Sequence, residues 1–160
     1  MTGIFTRDGL HYLYRNDQGG LSRAAWWSGL APLASLLVVL TLIWLALAPW
    51  GRRGLDERAL LDARTIAAYV YLAIYAFAVI LIAVCYTNLS AKRLRTRGRW
   101  PAMAGMLPLA ALLAGAAHWL YPRVAEVMPY ALVAGCDAVL IGVIIWHVVD
   151  LGVLEARRGK

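Results

Sequence analysis

Residues 66–100 read IAAYVYLAIYAFAVILIAVCYTNLSAKRLRTRGRW. From Ile66 to Leu89 there is no Asp, Glu, Lys or Arg; from Ser90 to Trp100 there are five basic residues and no acid. An apolar run of that length covers ~30 Å of hydrocarbon at about 1.5 Å per residue, so it reads as a membrane-spanning helix. A lone strand would leave its backbone polar groups unsatisfied in lipid. The abrupt change of composition at "SAKRLRTRGRW" marks the point where the chain leaves the bilayer.

Three further runs have the same character. They lie at about Ala24 to Ala48, Pro101 to Tyr121 and Met128 to Val149. The whole chain is 62% hydrophobic and 16% charged, against about 45–50% and about 25% in soluble domains. A soluble domain of this size leaves roughly a third of its surface in water and has no means of hiding so much apolar area. The expected fold is therefore all-α: one integral membrane domain over residues 1–160, a bundle of four transmembrane helices. The spans fall at about 24–48, 66–89, 101–121 and 128–149, with a leading segment 1–23 and a tail 150–160. The first run ends in "ALA" at Ala46–Ala48, but it is too long for a signal-peptide core and Pro49 follows the would-be cleavage site.

Basic residues set the orientation. Arg7, Arg15 and Arg23 precede span one; Lys92, Arg93, Arg95, Arg97 and Arg99 follow span two; Arg157, Arg158 and Lys160 close the chain. The opposite side carries Arg52, Arg53, Arg58, Arg64 and Arg123. The positive-inside rule then places both termini in the cytoplasm. "SAKRLRTRGRW" becomes a cytoplasmic hairpin, with Gly98 ending the second helix and Pro101 opening the third. Its charges are expected at anionic lipid headgroups, not on nucleic acid, since no recognition module accompanies them. Arg23 and the indoles of Trp26, Trp27 and Trp100 are expected at the same headgroup depth. Leu10, Leu13 and Tyr14 share a helical face, so "DGLHYLYR" is expected to lie at the interface.

Two short motifs go together. In "SRAAWW", Arg23 stands three residues before Trp26 and Trp27; in "KRLRTRGR", Arg93, Leu94, Gly98 and Arg99 follow span two. This pairing resembles the family called domain of unknown function 805, small bacterial inner-membrane proteins with an Arg-x-x-aromatic-Trp motif before the first helix and an Arg-Leu-His-Asp-x-Gly-Arg motif after the second. The resemblance covers about residues 20–120. It implies a distant member, located in the bacterial inner membrane and without established activity. Arg95 and Thr96 stand where the family carries His and Asp, which removes acid–base chemistry from that loop. A fourth helix replaces the family's Gly-rich tail.

Within the spans, Asp137 is the anomaly. An acid at mid-span costs about 2.5–3.5 kcal/mol on insertion scales and marks a candidate site. Counted from the outer ends, Asp137, Tyr75 and Thr41 lie at a similar level, about 10–14 Å deep, and are expected to meet. The plain reading is a hydrogen-bonded packing contact; the sharper ones are an ion site or contact with a partner helix. Ala131, Gly135, Ala138 and Gly142 form a small-residue face suited to close helix packing. With Asp137 pointing the other way, span four is expected to touch protein on two sides, through a homo-oligomer or a membrane-protein partner.

Enzymatic readings find no support. His118 and His147 lie near opposite ends of their spans, so no haem is bridged, and both are expected as interfacial caps. No zinc spacing, nucleophile elbow or phosphate loop occurs, and Cys85 and Cys136 read as packing residues. The sequence thus points to a non-enzymatic accessory, assembly or interaction component without cofactor. The alternative is a small oligomeric ion-coupled transporter or channel using Asp137.

Overall fold

In the computed structural model, residues 7–16, 18–51, 62–124 and 126–155 are described. All regular structure among them is helical. A short helix α1 (Arg7–Tyr14) precedes α2 (Arg23–Gly51) and α3 (Ala63–Thr96). A 3-10 turn (Pro101–Gly105) leads into α4 (Met106–Val124), and α5 (Tyr130–His147) runs on into a π-helical segment (Val148–Val153). Four of these stretches are long and apolar enough to cross a membrane, and the chain is a multi-pass membrane protein. Arg52, Arg53, Arg58, Arg157, Arg158 and Lys160 of the charge count lie outside the described residues.

The main departure from expectation is at the end of α3. The basic stretch is not a loop: α3 continues to Thr96, and only Arg97 to Trp100 turn. Gly98 makes the stop, at φ +68°, a conformation costly for a residue with Cβ. Its N–H donates to Arg95 O at 2.9 Å, and the Arg99 N–H donates to Leu94 O at 2.9 Å. That pair of bonds closes the helix in a Schellman motif. Pro101 then opens the 3-10 turn, where its missing N–H costs nothing.

Packing pairs α2 with α3 and α4 with α5, giving two antiparallel hairpins. Contacts between the hairpins concentrate at one end, on the 3-10 turn and the π segment. We call this the junction end. The buried cluster sits there, with Trp26, Leu89, Leu94, Ala104 and Leu151 at its centre. The outermost ring contact between hairpins among the described residues joins Tyr86 and His147, 5.9 Å between centroids. Farther out, side chains such as Leu42, Phe77, Leu112 and Ile141 are exposed, as lipid-facing surface is. The small-residue face of α5 is also open: a Cβ added at Gly135 or Gly142 meets nothing within 4 Å.

Candidate functional site

Two polar constellations stand out. The first is the junction, built on one face of the last turns of α3. The last carbonyls of any helix lack partners within it, and α3 supplies them for α1. Lys92 Nζ donates to Tyr12 O and, at 3.0 Å, to Leu13 O; Asn88 Nδ2 donates to Tyr14 O at 2.8 Å. The Lys92 ammonium also lies 4.4 Å from the Tyr12 ring centroid. Lys92 is 0% exposed. The Tyr14 hydroxyl donates to Gly29 O at 2.9 Å. Burial, with a smaller push from Cys85, raises the Tyr14 phenol above its ordinary range, so it stays a neutral donor.

Arg93, 2% exposed, ties α3 to two other segments. Its Nε donates to Leu151 O at 3.1 Å, one terminal nitrogen donates to Leu154 O at 2.8 Å, and the other reaches Leu21 O at 3.4 Å. Arg97 pairs with Asp150 at 3.1 Å and donates to Glu155 O at 2.9 Å; Arg99 stands 3.8 Å from the same Asp150 oxygen. Thr96 Oγ1 accepts the Leu21 N–H at 2.8 Å and donates to Lys92 O at 3.0 Å. The indoles complete the joint: Trp26 Nε1 donates to Ser90 Oγ at 3.3 Å and Trp27 Nε1 to Gly152 O at 3.1 Å. Gly152 is required, because a Cβ there would stand 2.7 Å from the Trp27 ring and 3.2 Å from Trp26.

These contacts correct the headgroup reading of the basic stretch. Lys92, Arg93 and Trp26 are buried and Arg97 is nearly so, hence out of reach of lipid phosphates. Arg23 and Trp27 stay partly exposed while bonding the π segment, Arg23 through Val153 O at 3.2 Å. Arg95, Arg99 and Trp100, the last 74% exposed, keep open surfaces. Asp150 was not singled out by sequence reasoning. Its signal was an acid between apolar residues at the end of span four, level with five basic residues.

The second constellation lies within the spans. Asp137 does not meet Tyr75 and Thr41 as expected. Its two carboxylate oxygens each stand 3.0 Å from His118 Nε2. The side chains are 60% exposed for His118 and 38% for Asp137. Helix geometry explains the pairing. His118 lies six residues before the end of α4 and Asp137 seven after the start of α5, so a tight antiparallel link brings them level, about 10 Å from the helix ends. His118 is therefore no interfacial cap. Tyr75 and Thr41 bond each other at 3.1 Å on the other hairpin, where Tyr75 stacks between Trp44 and Tyr71 at 6.5 and 6.4 Å. His147 is buried at the junction, its Nε2 3.3 Å from Met103 O. Cys85 and Cys136 are free thiols.

Chemically, the junction is a lock: its donors are directed at backbone carbonyls of three segments. The His118–Asp137 pair is an ionisable element inside the spans. Comparison with protein-family models, with curated proteins and with solved structures yields no match.

Proposed function

We propose that this chain is a bacterial inner-membrane protein with both termini in the cytoplasm, a distant relative of the domain of unknown function 805 proteins. In this reading it acts as a non-enzymatic accessory or assembly component. One observation carries it: the polar side chains at the junction converge on backbone carbonyls and on Asp150. Such a joint presents a rigid platform, not a reaction centre. Its exposed rim of Arg95, Arg99 and Trp100 suits anionic headgroups at the cytoplasmic face. The open face of Gly135 and Gly142 suits a partner helix or a second copy. Gentle purification from native membranes tests this. A stoichiometric second membrane protein supports the accessory role; a clean particle of this chain alone, of whatever copy number, opposes it.

A second reading is favoured by the half-exposed His118–Asp137 pair. An ionisable pair open to its surroundings inside a span fits a small ion-coupled transporter. Asp137→Asn then abolishes coupled flux, whereas a packing role tolerates the change.

A further inference from the structure

We propose that the junction holds bound water between α3 and the end of α5 with its π segment, in a site formed by Tyr86, His147 and Asp150. The site goes beyond the accessory and transport readings and rests on neither.

The three groups share one place. α3 and α5 run in the same direction, since α4 reverses the chain between them. Two contacts bracket the stretch where they meet. One joins the Tyr86 and His147 rings, edge to face with centroids 5.9 Å apart. The other is the bond from Arg93 Nε to Leu151 O at 3.1 Å. Between these contacts lie Ser90 on α3, four residues past Tyr86, and Asp150, three residues past His147. Residues so spaced share a helix face, and both stand about 4–6 Å beyond the rings. All are closed off from bulk solvent and from lipid: Tyr86, Ser90, His147 and Asp150 are 7%, 0%, 1% and 2% exposed.

Their polar atoms are the anomaly. His147 Nε2 faces Met103 O at 3.3 Å, and a carbonyl only accepts, so this nitrogen carries hydrogen. His147 Nδ1 has no hydrogen-bond partner among the described residues, and neither have the Tyr86 hydroxyl, both Asp150 oxygens and Arg97 Nε. Nδ1 needs a partner whether it carries a hydrogen or a lone pair. Arg97 and Arg99 offset the Asp150 charge from 3.1 and 3.8 Å, but no donor reaches the carboxylate in hydrogen-bonding geometry. A buried polar group left bare carries the full cost of its lost hydration. A cluster of them at one joint points to a ligand.

The atoms themselves select it. An anion meets the Asp150 carboxylate. A metal cation meets two guanidinium groups already beside that carboxylate, and finds too few oxygens to complete its shell. An organic molecule finds no opening among side chains so enclosed. The bare atoms are of both kinds, a carboxylate that accepts, an Arg97 N–H that donates and a phenol that does either. A small neutral molecule that donates and accepts suits all of them, and that is water. The joint then has a dry side, where Arg93 bonds carbonyls directly, and a wet side, where water carries the contact between the hairpins at little loss of enthalpy.

X-ray radiolysis of the full chain in nanodiscs tests this. Short pulses turn water into hydroxyl radicals, which label side chains where the water stands, and peptide mass analysis reads the sites. Each rate is divided by that of the same residue in the chain unfolded in dodecyl sulfate. On this scale Tyr86 and His147 are expected to label about tenfold or more faster than Leu89 and Leu94, which are buried and apolar. His147→Phe, which fills the site with an apolar ring, should bring Tyr86 down to the level of the leucines, whereas His147→Gln should keep its labelling. If His147→Phe no longer unfolds cooperatively, Tyr86→Phe is read at His147 instead, with the same drop expected. Tyr86 and His147 as protected as the leucines would overturn the proposal. So would leucines labelled as fast as Tyr86, the sign of bulk water entering by transient opening, or Tyr86 labelling unchanged in a His147→Phe chain that folds.

Discussion

Replacing Arg93 by Met tests the junction at its most connected residue. The side-chain volume is roughly kept, while three donated hydrogen bonds are removed. They do not weigh equally. A bond from a charged donor is worth about 1.5–3 kcal/mol, and the one to Leu151 O, in a residue 0% exposed, counts in full. The 3.4 Å contact to Leu21 O is long and counts little. Leu154 is exposed, so its carbonyl regains water. Relief from burying a cation offsets part of the loss. The net expectation is a destabilisation of about 1–3 kcal/mol, read by reversible unfolding in mixed micelles. Arg93→Lys should recover only part, because one ammonium on a flexible stem does not serve three carbonyls on two segments. A change below about 0.5 kcal/mol in Arg93→Met, the usual size for a surface substitution, would refute the reasoning.

Two other perturbations probe the same joint. Gly152→Ala drives a methyl into two indoles and should cost about 1–3 kcal/mol in the same unfolding assay, whereas Gly115→Ala, with open space at its Cβ, should be neutral or slightly stabilising. Asp150→Asn should cost about 1–2 kcal/mol, and adding Arg97→Met to it should cost much less than Arg97→Met alone, a non-additivity that a double-mutant cycle measures.

Much of the fold was legible because lipid imposes length and composition on each span. The four apolar runs became four helices, and Gly98 and Pro101 marked the turn between hairpins. The fate of Lys92 and Arg93 was not legible. A charge run at a span end reads as solvated, and what buries these side chains is a set of backbone carbonyls from residues 12–13 and 151–154. Carbonyl positions leave no trace in side-chain pattern. The His118–Asp137 pair was within reach of the sequence, since the short link between spans three and four fixes which residues stand level. The depth count sets Asp137 against Tyr75 and Thr41 on the other hairpin, and not along its own, where His118 stands.

The decisive feature is that the basic stretch is internal. Lys92 is one of two lysines in the chain, so an amine-reactive, membrane-permeant acylating reagent followed by peptide mass analysis reads it directly. Lys92, buried at the junction, should resist modification in native membranes and become reactive once the chain is unfolded in dodecyl sulfate. Equal reactivity of Lys92 in the native and unfolded chain would contradict it.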